Sequence, residues 1–373
     1  MAATGRQTAA ADLAASLREA GFVRLAPAAT GDGVAAAGVL ARSLSAIDIP
    51  YQIGVETGET SRSTEADVTL ALDRDQPGVD ETLGTARPAS AAAFEVARTL
   101  DDQSASVAVA AAGVLASGKE PTGQLVEAIA EAGIKRRPGV TVPTDDLVDG
   151  LAHSTRLHAP FSGDPDAVRN TLQNVSIEPQ DDEERRRLAS IVALQVADAG
   201  DAATRAAESI ADALRPHAGG PLVTLEGYGD VLDAAVREDP GAAVAIALGH
   251  EDARADALDA WRSHARSAHE TLAEASIQRH SGLVVAEIEG PIETIARLLR
   301  DYRSPEPLAL VADEDRVALA ATGEHDAATV LETATESFDL SGRVAGDADL
   351  ATQQYPGDVE RLVAAIREVN RDA

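Results

Sequence analysis

The densest chemistry in the sequence is A-A-T-G-D-G at residues 28–33, set between a short apolar run (Phe22 to Ala26) and the Ala-rich stretch Val34 to Leu44. Gly31 and Gly33 allow a tight turn at the carboxyl end of a strand, where ligands of open α/β sheets sit beside a helix N-terminus. Asp32 then has two possible uses. It projects into that crevice as a cation ligand, or it caps the helix that follows, Asp being a favoured N-cap. A second carboxylate, Asp73, ends the hydrophobic run Asp67 to Leu72.

The remaining reactive side chains are sparse. There is no cysteine, which removes disulfides, thiolate nucleophiles and Cys-zinc sites. No Ser-x-x-Lys, G-x-S-x-G or P-loop lysine pattern occurs. All 8 histidines lie at or beyond His153. His264 and His269 stand five apart on one expected helix, so they do not form an i, i+4 metal pair. His153 and His158 flank an irregular segment containing Arg156 and read as exposed loop residues. Two basic runs, Lys135-Arg136-Arg137 and Arg185-Arg186-Arg187, offer contacts to phosphate or to an acidic partner. The second run can equally pair with its own neighbours Asp181, Asp182, Glu183 and Glu184.

The elements that must position these groups alternate between strand and helix. Residues 10–20 read as a helix stopped by Gly21. Phe22–Ala26, Tyr51–Val55, Asp67–Leu72 and Ser106–Ala110 read as strands, with helices at Val34–Leu44, Ser90–Leu100 and Gly123–Ala132. Such alternation implies a parallel sheet with helical crossovers. Residues 139–182 are rich in Pro, Gly and Asp and carry no long periodic run; residues 183–216 are helical up to Pro216. A second α/β unit follows. Leu222–Glu226, Ala243–Leu248 and Leu283–Ile288 are expected strands, and Asp252–Ala275, Ile292–Tyr302, Ala327–Thr335 and Asp358–Val369 expected helices. Leu308–Ala312 and Arg316–Ala321 form an expected hairpin. The domains expected are 1–182, a connecting helix at 183–215, and 216–373.

In order and spacing, these segments resemble the DHH phosphoesterase superfamily, RecJ-like branch. Ala28 to Ala37 resembles the first motif, His-x-Asp-x-Asp-Gly before a small-residue helix. Asp67–Asp73 (DVTLALD) resembles the second. Ser90–Leu100 is similar to the helix after the name-giving Asp-His-His, and Ala108–Ser117 to the fourth motif. Ile295–Tyr302, Leu308–Val311, Val317–Thr322 and Val344–Thr352 follow the order of the companion DHHA1 domain. The resemblance implies an α/β fold of two lobes, a parallel-sheet DHH-like domain and a DHHA1-like domain, with a cleft between. It also implies a phosphoesterase using two Mn²⁺ or Mg²⁺ ions ~3.5–4 Å apart.

The sequence departs from that chemistry. Ala28 and Thr30 stand at the motif-one His and first Asp, Ser117 at the fourth-motif acid, Ala345-Gly346-Asp347 at the Gly-Gly-His of the last domain, and no Asp-His-His follows Asp73. Asp32 and Asp73 remain as candidate metal ligands, at most enough for one weakly held Mg²⁺. The resemblance nominates Gly31, Gly33, Arg297 and Gly346 as nucleic-acid contacts. No cofactor is expected, with Mn²⁺ or Mg²⁺ the choice if activity remains. The function implied is a catalytically degenerate RecJ-like protein that binds single-stranded DNA or RNA or joins a complex such as GINS-type replication factors; an active exonuclease with a reduced metal site is the alternative.

Charge sets the environment. The chain has 62 acidic and 32 basic residues, a net charge of −30. Lysine occurs only at positions 119 and 135, the other basic residues being arginine. A diffuse charge of this size repels itself in dilute buffer. At molar salt the Debye length is only ~3 Å and the repulsion is screened. This is the pattern of a halophile cytosol. The absence of an apolar run of about 18 residues excludes a transmembrane helix. The N-terminal segment is amphipathic rather than a signal peptide, so a cytoplasmic protein is expected.

Overall fold

A computed structural model of the chain describes residues 10–55, 65–74, 78–84, 87–173, 181–340, 342–355 and 357–372. The chain divides into two compact units that are interleaved in sequence. The first holds residues 1–137, 141–146 and 216–263; the second holds 138–140, 147–215 and 264–373.

The first unit is built on a parallel sheet of β1 (Val23–Pro27), β2 (Tyr51–Ile53), β3 (Val68–Leu72) and β4 (Glu81–Leu83), in the order β2-β1-β3-β4. β1 is buried along its whole length, as a central parallel strand must be. Around it lie α1 (Ala10–Glu19), α2 (Gly31–Ala46), α3 (Ala89–Leu100), α4 (Val107–Ala116) and α5 (Gln124–Glu131). α4, VAVAAAGVLA, is apolar on every side and packs against α2 and α3. The expectation of a strand at 106–110 fails here. A short apolar run looks the same in a buried strand and a buried helix, and the small side chains of Ala110, Ala111, Ala112 and Gly113 favour close helix packing.

β5 (Lys135–Arg136) pairs with β6 (His217–Ala218) in a two-stranded ribbon. Before that return the chain supplies the second unit with α6 (Leu147–His153), α7 (Pro165–Thr171), α8 (Asp182–Ala197) and α9 (Ala206–Ala213). The expected continuous helix to Pro216 is thus broken at residues 198–205, where Asp198, Gly200 and Asp201 interrupt the pattern. Back in the first unit, α10 (Leu225–Glu238) packs on α2 and α4, and α11 (Pro240–Ala247) on α2 and α10. α11 covers most of the expected strand Ala243–Leu248, and α10 starts inside the expected strand Leu222–Glu226 and runs on through residues given no element. Thr224 and Asp239 cap them with side-chain oxygens, and Pro240 begins α11 where proline is tolerated. Because α10 belongs to the core of the first unit, the division does not fall at residue 182.

α12 (Arg254–Glu274) contains the boundary between Ser263 and His264. The second unit's six-stranded sheet has the order β11-β12-β10-β9-β8-β7, where β7 is Ile277–His280, β8 Leu283–Glu287, β9 Leu308–Ala312, β10 Arg316–Ala321, β11 Val344–Gly346 and β12 Leu350–Gln354. β8 and β9 run parallel and the other neighbours antiparallel, including the expected β9–β10 hairpin. α13 (Ile292–Leu298) continues into a π-helical turn at Leu299–Arg303. α14 (Ala327–Ser337) and α15 (Val359–Asp372) bury Leu331, Leu362 and Ile366 in the core. The molecule is therefore an α/β protein with a parallel sheet in its N-terminal part and a separate C-terminal sheet unit.

Candidate functional site

The T-G-D-G turn lies where the sequence places it, between β1 and α2, and Asp73 follows directly on the neighbouring strand β3. The local reason is in the cap. Thr30 is extended, and its hydroxyl accepts from the Gly33 amide at 3.0 Å, starting α2. The same hydroxyl donates to Asp73 Oδ2. Asp73 sits in the left-handed region (φ 58°), and a side chain on the facing Gly84 would stand 2.8 Å from its Cα.

Asp32 does not cap its own helix. Its side chain is 1% exposed. It accepts hydrogen bonds from the amides of Ala89 (2.5 Å) and Ser90 (3.0 Å) and from the Ser90 hydroxyl. Those are the first amides of α3, whose own cap position, Pro88, has no side-chain oxygen to offer. Burial raises the Asp32 carboxyl from its ordinary pKa; the bonds from Ser90 and Ala89 act against this, and the charge of Asp233 adds to it. Asp233, from α10, accepts from the Gly31 amide at 2.9 Å and pairs with Arg237 at 2.8 Å. A carboxylate of the chain itself therefore occupies the α2 N-terminus, where an anion would bind.

The glycines serve packing. A Cβ on Gly31 would come within 2.8 Å of Ala116 and 3.0 Å of Asp233, and one on Gly33 within 2.8 Å of the Ala28 carbonyl. The approach that a ligand would need is filled by the protein. Ser117, at the fourth-motif position, donates its hydroxyl to Val114 O at the end of α4.

This donor set does not fit a two-metal centre. Hard cations need several carboxylate oxygens converging on one point. Asp32 faces α3, Asp73 faces Thr30 and Asp233 faces Gly31 and Arg237. Among the described residues no three Asp, Glu, His or Cys side chains gather so as to hold a metal ion.

In the second unit, the residues nominated for nucleic acid also have internal roles. Arg297 on α13 donates to Thr155 O (3.0 Å) and Thr155 Oγ1 (3.1 Å). Gly346 ends β11 with φ 121°, and a side chain there would strike Leu350 O. In the adjoining turn, Asp347 accepts from the amides of Asp349 (2.9 Å) and Leu350 (3.2 Å). The amides of Ala327 and Ala328, at the start of α14, donate to the carbonyls of Ala348 and Asp347. The loop holds acidic groups and filled amides where phosphate binding would need open ones.

Of the basic runs, Arg136 contacts both Glu120 oxygens at 2.5 Å and Arg185 pairs with Asp182 at 3.2 Å. His153 and His158 are not exposed loop residues. His153 is buried, and His158 is half-buried with its ring against His269. Sequence reasoning also missed Ser90 and Asp233. For Ser90 there was a signal: a helix opening at Pro88-Ala89-Ser90 lacks a capping oxygen of its own and must draw one from elsewhere.

Comparison with known proteins agrees with the fold. Residues 275–368 match the family model described as the C-terminal domain of the uncharacterized protein rrnAC1427. The whole rrnAC1427 protein of Haloarcula marismortui is 48% identical over 379 residues, covering 99% of this chain and 100% of the relative. Among solved structures, CDC45 from Entamoeba histolytica aligns with a TM-score of 0.56 at 10% identity, over 96% of this chain and 98% of that one. RecJ from Thermus thermophilus, in complex with Mn²⁺, aligns with a TM-score of 0.50 at 14% identity over 100% of this chain, which spans only 56% of that RecJ.

Proposed function

This chain belongs to the family of the Haloarcula marismortui protein rrnAC1427 and carries the RecJ-like fold of the DHH superfamily; from that premise we propose that it is a non-catalytic RecJ-like subunit of a complex that replicates, repairs or processes nucleic acid in a high-salt cytoplasm. One observation carries this reading. The carboxylate left from the family's first motif, Asp32, is buried and bonded to the N-terminus of α3. A group so placed supports the fold and has no face turned to a phosphodiester.

Salt favours a protein partner over autonomous nucleic-acid binding. The gain from counterion release shrinks as salt rises, and a surface carrying a net charge of −30 adds no attraction to phosphate. Apolar contact is not weakened in this way; excluded salts strengthen it. Arg297 and the glycines that resemblance nominates for nucleic acid are engaged within the chain.

The test is a pair of measurements in multimolar KCl. Purified protein is incubated with labelled single-stranded DNA and RNA and Mn²⁺ or Mg²⁺, and tagged protein is isolated after crosslinking in its own cells. The expected result is no metal-dependent degradation, with replication, repair or RNA-processing proteins in the crosslinked fraction. Degradation that vanishes in Asp73→Asn would establish a working site and overturn the proposal.

A further inference from the structure

Two imidazoles meet inside the second unit. His269, on α12, is 1% exposed, and His158 lies in the loop after α6. Their Nδ1 atoms are 3.3 Å apart and their rings lie within 20° of parallel. The hydrogen-bond pattern fixes the protons. His269 Nε2 lies 3.0 Å from the Ser154 carbonyl, which only accepts, so that nitrogen carries the hydrogen. In a neutral ring Nδ1 of His269 is then bare, and His158 Nδ1 must be the donor.

The pair fastens a loop rich in buried polar groups. Ser154 and Thr155 are buried; Arg297 holds Thr155 from α13, and the Tyr302 hydroxyl, from the π-helical turn, donates to the Arg156 carbonyl at 2.7 Å. The loop closes where the Gly163 amide donates to Ala152 O at 2.8 Å. The charged and titratable neighbours are mostly basic. Arg303 of the π-helical turn bears on His158, while His153 of α6, Arg297 of α13 and His264 of α12 bear on His269. The nearby carboxylates face other groups: Asp149 pairs with His153 at 3.1 Å and Asp201 with Arg303 at 2.7 Å. His264 Nε2 is 2.9 Å from Thr294 Oγ1.

We propose that the His158–His269 pair is a proton-operated latch, which holds the loop of residues 154–162 against α12 while both rings are neutral and releases it in acid. Two protons on each ring would set N–H against N–H and place two cations beside Arg297, Arg303 and His264. Burial, reinforced by His269 and Arg303, lowers His158 to about 3. Burial, reinforced by His153, Arg297 and His264 against the Ser154 bond, lowers His269 to about 4. A free histidine titrates near 6.5. Between about 6.5 and these lowered values the opened loop binds protons that the closed loop does not, so opening gains as pH falls. Each histidine contributes up to about tenfold in the opening constant per pH unit.

The full chain in multimolar KCl supplies the test. Side-chain ¹⁵N spectra at pH 7.5 should show the hydrogen on Nδ1 of His158 and on Nε2 of His269. Amide exchange of residues 154–162, corrected for intrinsic rate, should report an opening constant that rises at least tenfold per pH unit from about pH 6 to 5. His158→Asn keeps a donor near the Nδ1 position and cannot titrate, so the slope should fall by about one decade per unit. The opposite tautomers, exchange that ignores pH, or an unchanged slope in His158→Asn would each overturn the latch. The tautomer and wild-type exchange measurements decide the question even if the variant folds poorly.

Discussion

Asp32 shows how one side chain can keep its place and change its work. It still follows the first strand of a RecJ-like sheet, but its partners are the amides of Ala89 and Ser90. Removing it strips α3 of its cap and leaves buried donors unmet. Asp32→Ala should therefore lower stability by about 2–3 kcal/mol, read by chemical denaturation in molar KCl. Ser90→Ala removes only the hydroxyl bond and should cost about 1 kcal/mol. Because the two side chains touch, the double variant should lose less than the two single losses combined. At this scale the sequence was half legible. The T-G-D-G turn and the end of β3 at Asp73 follow from residue type alone, since glycine, threonine and aspartate have local preferences. The partner of Asp32 lies 58 residues away along the chain at Ser90, and no periodicity reports a capping bond between distant segments.

Helix packing explains which elements could be read and which could not. The β9–β10 hairpin and α3 carry clear patterns, so their residues announce them. α4 and α11 do not, because they are wrapped by other helices and their apolar runs lack a polar face; α10 does alternate apolar and charged residues, but Gly227 and Gly229 in its first turns read as breaks in a helix. What allows the wrapping is small residues. A Cβ on Gly113 of α4 would come within 2.5 Å of Ala35 and 2.7 Å of Ser90, and one on Gly229 of α10 within 2.5 Å of the Ala112 carbonyl. Neither backbone nor helix axis can yield that distance cheaply in a close-packed core. Gly113→Val and Gly229→Ala should each destabilise the chain by about 1–3 kcal/mol, visible as a lower melting temperature. The same substitutions at Gly118 or Gly133, where nothing stands within 4 Å, meet no such obstacle, and their cost comes only from the positive φ.

For the whole molecule, charge and acidity are the levers. With a net charge of −30, stability should rise steadily as KCl increases from 0.1 M toward several molar, which a series of thermal melts will show. Acid should act in the other direction. His158 and His269 have lowered values in the folded chain, so their stabilising contribution is complete above about pH 6.5 and is lost as pH falls toward about 3–4. Denaturation midpoints at constant salt should drop between pH 6.5 and 4.5, and drop less in His158→Asn. The interleaving of the two units has a consequence in time. α10 and α11, which cover α2 and α4, are encoded after the whole stretch 147–215 that belongs to the other unit. A ribosome adding ~5–20 residues per second takes roughly 3–14 s to cross that stretch. For those seconds the first sheet has been made while the apolar faces of α2 and α4 wait for the helices that cover them.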